Sequence, residues 1–236
     1  TLCRYRKPNV MIIGERGVGK TAIAAEAARL LEDERASEVP VRLQGMHIME
    51  LDTSLLLGGA QYRGDLEIRI KEVMDGAAEA GDTIIYIDDL RSLGGNSRND
   101  DGSKDILSLL TPYLKSGSIR CIISATYEDV KKVENLNPGA LGMFNRIEIQ
   151  EPDAEETFRI ITHNMFRKLQ ESHKAKYSDS VCRFAIEKSI RHMNDRRLPE
   201  KAIDLLDQAG AYSESVRYDK VDETCVMKAL KDLCKE

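Results

Sequence analysis

The stretch VMIIGERGVGKT, residues 10–21, decides how the rest of this sequence is interpreted. Its first four residues, VMII, are apolar and predict a short buried strand, and the Ala-rich segment AIAAEAARLLEDE that follows the stretch predicts a helix. Between the two, the residues fit the pattern G-x-x-x-x-G-K-T. Glycine lets the backbone turn so that several N–H groups face one anion, and the helix N-terminus adds its positive dipole end. The stretch is therefore predicted to be a phosphate-binding loop.

The side chains of this loop predict a nucleoside triphosphate and Mg²⁺ as ligands. Lys20 would bring a positive charge to the β and γ phosphates, and the hydroxyl of Thr21 would coordinate Mg²⁺. A Gly-rich turn without a ligand is the alternative, but the strand before the motif and the helix after it favour nucleotide binding. We therefore expect ATP or ADP to contact a continuous run of residues: Gly14, Glu15, Arg16, Gly17, Val18, Gly19, Lys20, Thr21 and Ala22.

The composition argues against two other kinds of partner. Of the 236 residues, 32% are charged and 42% hydrophobic, and the net charge is −5, so no positive surplus favours nucleic acid. No apolar run approaches the roughly 20 residues that span a bilayer, so no membrane association is expected. The five cysteines form no C-x-x-C pair, which is typical of reduced thiols and predicts a cytoplasmic location.

Buried strands and helices alternate in the first part of the chain. Besides the strand in the opening stretch, apolar runs predict strands at 46–51, 83–87, 119–125 and 146–149. This alternation predicts an α/β fold, in which helices flank a parallel sheet. After Glu151 helical patterns dominate. We therefore expect a large α/β nucleotide-binding domain, residues 1–151, and a small all-helical domain, residues 152–236.

Three local patterns give expectations that a structure can check. Pro112 lies in the predicted helix 106–114 and is expected to bend or end it. Asp153 opens a capping-box-like pattern for a helix that runs to about residue 170. Residues 216–221 are the single candidate for a short strand in the second domain.

Two predicted strands end in side chains that suit nucleotide chemistry. The strand TIIYI leads to Asp88, expected to bind Mg²⁺ through water opposite Thr21, and to Asp89, placed to polarise the attacking water as a general base. A further strand would bring the hydroxyl of Thr126 to the same sheet edge as the phosphate loop. Plainer roles are open for all three: solvated carboxylates for the aspartates and a helix cap for the threonine.

Several motifs in a fixed order closely resemble the first AAA+ module of the Clp unfoldases. The Q-Y-R-G-D and R-x-L-P-x-K-A-I-D segments carry most of the specificity, and the likeness covers essentially the whole chain. The resemblance implies a P-loop AAA+ fold with a helical lid, and a homohexameric ring that uses ATP to pull polypeptide through a channel. It is based on the following segments: GERGVGKTAIAAEAARLL, LLLGGAQYRGDLEIRIKEVM, IIYIDDLRSLGG, CIISATYEDV, EPDAEETFRII and NDRRLPEKAIDLLDQAGA.

The resemblance assigns roles to the residues that match the family's motifs. The 88–89 pair matches Walker B, and Thr126 matches the first sensor. Tyr62 matches the channel-loop aromatic that grips substrate, with Arg63 beside it, although a packed loop aromatic is the simpler alternative. Arg197 and Lys201 are both candidates for the second sensor, which contacts nucleotide, and Lys201 lies inside the L-P-x-K motif.

Two departures from the family pattern bear on hydrolysis. The second Walker B residue is Asp89 where the family has glutamate, and a misplacement of about 1 Å costs on the order of 10²-fold in rate. The arginine-finger positions are Gly142 and Met143, so the cation that stabilises the transition state in related enzymes is missing. Two hypotheses therefore stay open: an ATP-hydrolysing unfoldase module, and a nucleotide-binding, hydrolysis-deficient module that assembles the ring.

The expected partners follow from the same resemblance. They are further copies of the protein in a hexamer and unfolded or tagged polypeptides. After Ala211 only about ten residues precede the last helix, which leaves no room for the coiled-coil insertion of ClpB-like proteins and favours a ClpA-like module. That type implies a compartmental peptidase, docked through regions outside this chain. A DNA-loading AAA+ protein is disfavoured by the charge balance.

Overall fold

The computed structural model describes residues 1–33, 37–57, 63–93, 106–136 and 138–234, apart from the side chains of Leu57 and Arg63. Backbone contacts divide the chain into two compact units. The first comprises Thr1–Gly14 and Lys20–Ile149, and the second comprises Glu15–Gly19 and Gln150–Glu236. No helix within the described ranges is both long and apolar enough to cross a membrane.

The first unit is built on a five-stranded sheet whose strand order is β2-β3-β4-β1-β5. Every neighbouring pair is parallel, so the predicted α/β fold is confirmed. β1 lies inside the sheet between β4 and β5 and is buried along its whole length. The strands are β1 Asn9–Ile13, β2 His47–Glu50, β3 Thr83–Ile87, β4 Arg120–Ala125 and β5 Phe144–Glu148.

Residues alternate between the two faces of the sheet along each strand, and both faces carry apolar residues that helices cover. Met11, Ile85 and Ile123 join a core that includes residues of α3, α4 and α5. Their neighbours Val10 and Tyr86, among others, join a second core that includes Ala24 of α1. The helices of this unit are α1 Lys20–Glu32, α2 Thr53–Leu57, α3 Arg63–Ala80, α4 Ile106–Ser116 and α5 Tyr127–Leu136, with short 3-10 turns at Val41–Leu43 and Leu90–Leu93.

Pro112 does not end the helix, because α4 continues past it to Ser116, and the expected bend stays a prediction. The Thr111 hydroxyl donates to the Leu107 carbonyl, four residues earlier, at 2.7 Å. The helix also buries Leu110 and Leu114 on either side of Pro112. Core packing on both sides of the proline therefore holds the helix together.

The second unit is helical, and short acidic or hydroxyl side chains cap the N-termini of three of its helices. Asp153, Ser178 and Asp222 each accept a hydrogen bond from the backbone N–H three residues later, which satisfies N–H groups that the helix leaves open. The expected capping by Asp153 is confirmed. The helices are α6 Ala154–Ile160, α7 Phe166–His173, α8 Asp179–His192, α9 Glu200–Ser215 and α10 Glu223–Leu233.

Two expectations for this unit need correction. The helix that begins after Asp153 contains a π-helical turn, Ile161–Met165, and reaches His173, where Lys174 takes a left-handed conformation and ends it. Residues 216–221 form no strand. A single parallel bridge pairs Lys176 with Lys220: the Lys176 N–H donates to the Asp219 carbonyl, and the Lys176 carbonyl accepts from the Val221 N–H, each at 2.9 Å.

We predict that Gly210→Ala in α9 destabilises the chain although alanine is the better helix former. A Cβ there would collide with the Tyr177 hydroxyl and lie 2.5 Å from Cδ2 of His173, so packing must open at a cost of about 1–3 kcal/mol. Gly76→Ala in α3 is the matched control: no atom lies within 4 Å of the position that its Cβ would take, and a gain of about 0.5–1 kcal/mol is expected.

Urea unfolding of the two variants and the parent measures both effects. The midpoint should fall for Gly210→Ala and rise for Gly76→Ala. A rise for both would contradict the close packing of Gly210.

Candidate nucleotide site

The carboxyl ends of β1, β3 and β4 lie along one edge of the sheet, as parallel pairing requires. β1 leads into Gly14, whose N–H donates to the carbonyl of Ala125 at the end of β4, 3.1 Å away. β3 leads directly into Asp88, and β4 into Thr126. The sheet thus brings the start of the phosphate loop and the candidate catalytic residues to one edge.

The tip of the phosphate loop has the conformation that its glycines allow. Gly17 and Gly19 have φ angles of 84° and 99°, in the left-handed region where other residues are strained. Val18 between them is buried. The Gly17 carbonyl accepts a hydrogen bond from the N–H of Glu200, 3.3 Å away, and a Cβ on Gly17 would collide with the Glu200 side chain. Both backbone conformation and space therefore require glycine at position 17.

Lys20 and Thr21 open helix α1, and each contacts an earlier or distant part of the first unit. Nζ of Lys20 donates to the Gly14 carbonyl at 2.9 Å, so the lysine closes the loop on itself. The Thr21 hydroxyl donates to Oδ1 of Asp88 at 2.8 Å. Of the other predicted loop residues, Glu15, Arg16 and Ala22 are exposed.

The contact between Thr21 and Asp88 fits a Mg²⁺ ion. Hydroxyl and carboxylate oxygens are the ligands that this ion prefers, and it takes one or two protein oxygens with water and phosphate oxygens completing the shell. No cluster of three or more His, Cys, Asp or Glu suited to a metal occurs in the described ranges. A site completed by nucleotide phosphates is consistent with both observations.

Sequence reasoning missed Tyr86 and Ser124, two buried residues next to this contact. The Tyr86 hydroxyl donates to Asp88, and it lies 3.0 Å from Oγ of Ser124. Burial and, after it, the hydrogen bond to Asp88 raise the pKa of Tyr86 to about 12, so its hydroxyl remains a donor at neutral pH. The available signal was a tyrosine and a serine in the largely apolar strand segments TIIYI and CIISA, since a buried polar group needs a partner.

Asp89 is held by the residues of its own turn. The Arg91 guanidinium contacts both carboxylate oxygens of Asp89, with Nη2 at 2.5 Å and Nε at 3.0 Å from Oδ2. The Arg91 backbone N–H donates to Oδ1 at 2.9 Å, and Ser92 donates its N–H and its hydroxyl to the Asp89 carbonyl. The hydrogen bond with Asp89 raises the pKa of Arg91. The side chain predicted to be a general base thus caps a 3-10 turn.

Thr126 fills the plainer of its two predicted roles. Its hydroxyl accepts from the Asp129 N–H at 3.2 Å and donates to Oδ2 of Asp129 at 2.5 Å, so the pair forms a reciprocal cap on α5. A cap at this sheet edge is compatible with a sensor role, which stays a prediction.

In the second unit, the side chain of Glu151 contacts residues in and next to the L-P-x-K motif. Its carboxylate accepts from the Leu198 N–H at 2.8 Å and lies 3.3 Å from Nη1 of Arg197 and 3.8 Å from Nζ of Lys201. Lys201 is only 5% exposed and donates to the Met193 carbonyl, whereas the Arg197 side chain is 48% exposed. Arg197 is therefore the more accessible of the two second-sensor candidates, and nucleotide contact by Lys201 stays a prediction.

The two arginine-finger positions, 142 and 143, carry no cation in this sequence, and in the structure one lies in a turn and the other in the core. Gly142 is exposed in a turn, where its N–H donates to the Gly139 carbonyl at 3.0 Å. Met143 is 5% exposed and belongs to the main core of the first unit. Nearby Arg146 forms an ion pair with Glu134.

The two residues predicted to contact substrate fall outside what the structure describes. Tyr62 lies outside the described residues, as does the side chain of Arg63, whose backbone begins α3. Their roles stay predictions that come from the resemblance alone.

Comparison with known proteins identifies the family. The model of the ATPase family associated with various cellular activities (AAA) matches residues 10–151, and that of the AAA lid domain matches residues 153–235. The chain therefore belongs to the AAA ATPases. It consists of an AAA domain followed by an AAA lid domain, and both belong to the Clp/Hsp100 family.

These relatives include a ClpA homolog protein of Fuscovulum blasticum, 35% identical over 220 residues, and the chaperone protein ClpB of Agrobacterium fabrum, 37% identical over 211 residues. The alignments cover 93% and 89% of this chain but only 27% and 24% of those proteins, so the chain spans about a quarter of their length. Since ClpA-type and ClpB-type relatives are similarly identical, the predicted ClpA-like type stays a prediction.

Solved structures give the same assignment. A closed-state reconstruction of Hsp104 with ATPγS and FITC casein has a TM-score of 0.89 and 30% identity, and covers 99% of this chain and 39% of that one. An ADP complex of Saccharomyces cerevisiae Hsp104 has a TM-score of 0.86 over the same share of this chain and 40% of that one. The predicted P-loop AAA+ fold with a helical lid is thus confirmed.

We predict that Tyr86→Phe lowers the free energy of unfolding by about 1–2 kcal/mol, because it leaves the buried Ser124 hydroxyl without this partner. The double variant Tyr86→Phe/Ser124→Ala should recover part of the loss, since replacing both partners with apolar groups is close to neutral. Urea unfolding measures each variant. If the double variant loses as much as the two single variants together, the two hydroxyls are not coupled.

Proposed function

We propose that this chain is an ATP·Mg²⁺-binding module of a ring-forming protein that translocates polypeptide, and that it hydrolyses ATP slowly. The observation that carries the proposal is the 2.8 Å hydrogen bond between Thr21 and Asp88. A Walker A hydroxyl and a Walker B carboxylate that lie within hydrogen-bonding distance of each other are arranged to share one metal ion.

Each part of the site has a defined task in nucleotide binding. Backbone N–H groups of the loop and the N-terminal end of α1 attract the phosphates, and Lys20 supplies the full charge. Thr21 and Asp88 would hold Mg²⁺, which neutralises charge on the β and γ phosphates when bound. Tyr86 donates to Asp88 and so limits the orientations open to that carboxylate.

Three features support slow hydrolysis rather than rapid turnover. Asp89 is one methylene shorter than the family's glutamate and is held by Arg91. Gly142 and Met143 offer no cation to a neighbouring subunit, and fingers of this kind contribute roughly 10³–10⁵ in turnover elsewhere. In the hydrolysis-deficient alternative, ATP bound to this module would only assemble the ring, and another ring of the full-length protein would pull the polypeptide.

Substrate handling is proposed from the relatives, and assembly from the resemblance to the Clp unfoldases. Hsp104, of which this fold covers 39–40%, has been solved with casein, a polypeptide. We propose that this chain contributes to a homohexameric channel, with Tyr62 and Arg63 contacting unfolded or tagged polypeptide. A compartmental peptidase would dock through other parts of the protein. The relatives found by sequence include bacterial and chloroplast proteins, and the cytoplasmic location stays a prediction.

We predict that Lys20→Ala abolishes ATP and ADP binding, because the loop loses its full charge and its closing hydrogen bond. Fluorescence titration with a labelled ADP measures affinity in the presence of Mg²⁺. Lys71→Ala, an exposed lysine of α3, is the control and should bind like the parent. Unchanged affinity in Lys20→Ala would overturn the assignment of the loop.

We also predict that ATP turnover per site stays low and does not rise with protein concentration. Neighbouring subunits bring no arginine from positions 142 and 143, so assembly leaves the transition-state charge without that partner. Steady-state phosphate release, with Lys20→Ala as the blank, measures it across a concentration series. A rate per site that climbs with concentration would mean that a neighbour supplies a different cation.

A further inference from the structure

We propose that Arg91 is a positioning residue that restrains Asp89, so that the second Walker B carboxylate of this module is unavailable as a general base. This rests on the proposed nucleotide-binding function. It adds a specific cause for slow hydrolysis, one that lies within the module and is separate from the missing arginine finger.

The first argument is the direction in which the Asp89 side chain folds. Its Oδ1 accepts the N–H of Arg91, two residues later, which is the local turn that short Asp and Asn side chains form. The Asp89 carbonyl accepts from Ser92 in the same turn. The carboxylate thus turns back on its own backbone, and the 3-10 segment Leu90–Leu93 depends on it.

The second argument is the bidentate grip of the Arg91 guanidinium. Nε lies 3.1 and 3.0 Å from the two carboxylate oxygens of Asp89, and Nη2 lies 2.5 Å from Oδ2. Such paired contacts are stronger than single ones and fix orientation. Both oxygens of this carboxylate contact the guanidinium, so a water molecule would have to compete with these contacts to reach them.

The third argument is that Arg91 is itself anchored. Its Nε lies 3.7 Å from Oδ1 of Asp129, whose side chain is only 6% exposed and which caps α5 with Thr126. An exposed ion pair alone is worth little, and the Arg91 side chain is 50% exposed. The buried Asp129 adds a second, fixed anion, so one guanidinium links the Walker B turn to the threonine of the first-sensor position.

The consequence for chemistry is specific. In hydrolysis the water oxygen bonds to the γ phosphorus, the bond from phosphorus to the β,γ-bridging oxygen breaks, and the water's proton must pass to a base. With Asp89 held by Arg91, that proton lacks its usual acceptor. Nucleotide binding is unaffected, because it depends on the loop, Thr21 and Asp88.

A double-mutant cycle tests the proposal in the whole chain, with Asp89→Glu, Arg91→Gln and the two combined. Glutamate alone remains within reach of Arg91, and Arg91→Gln alone frees a carboxylate that is too short. We expect each single variant to raise single-turnover hydrolysis by less than about tenfold. The rate gain of the double variant should exceed the product of the two single-variant gains by at least about tenfold, because a positioned general base accelerates a reaction by roughly 10²–10⁴.

Two further measurements separate positioning from folding and from the proposed function itself. The Kd of labelled ADP should stay within about threefold of the parent in all variants, and the rate gain should appear at unchanged affinity. Arg167→Gln, which breaks an exposed pair with Glu171 far along the sequence, is the matched control and should change neither quantity.

Each outcome decides the matter. A combined gain above the product, with ADP affinity unchanged, supports the restraint. A fall in the hydrolysis rate of Arg91→Gln would mean that Arg91 stabilises the reaction. A rate gain in the double variant no greater than the product of the two single-variant gains would mean that the two positions are not coupled. Either result overturns the restraint, while ADP binding still supports the nucleotide site. Absence of ADP binding in the parent would overturn the proposed function together with it.

Discussion

The position of β1 between β4 and β5 is the constraint on which the rest of the first unit depends. Since all strands are parallel, whatever comes after β1, β3 and β4 must lie on one edge of the sheet. The strand is buried along its length, so its register is fixed by packing on both faces. The hydrogen bond from Thr21 to Asp88 follows from this arrangement, because helix α1 begins where the loop ends and β3 ends nearby.

Much of this could be predicted from sequence because the signals were local and redundant. The phosphate loop, the alternation of apolar runs with helices, and the acidic cap at Asp153 each depend on a few neighbouring residues. The sequence predicted a helix that includes Pro112, but its continuation to Ser116 could not be predicted, because it depends on core contacts on both sides of the proline. The partnership of Tyr86 and Ser124 joins residues 38 positions apart, and only the strand register brings them together.

Asp89 shows that a residue of a motif can have local partners besides the role that the motif predicts for it. The sequence pattern puts a carboxylate at the expected place, but a short side chain can satisfy its own turn, and an arginine two residues later can bind it. The local turn is one that short Asp and Asn side chains form, so the length of the side chain at position 89 bears on which of these partners are within reach.

The π-helical turn at Ile161–Met165 bears on where the helical segment from Ala154 to His173 could lose a residue. Such a turn accommodates one more residue than an α-helix over the same rise, and each residue of a regular α-helix advances the side chains by about 100°. Loss of one residue from the turn would leave a regular α-helix, and the side chains after it would keep their direction. Leu169 would then stay in the core of the second unit. Loss of one residue from α7 itself would instead rotate the side chains that follow by about 100°. The π turn is therefore the part of this segment where a one-residue deletion would disturb the packing least.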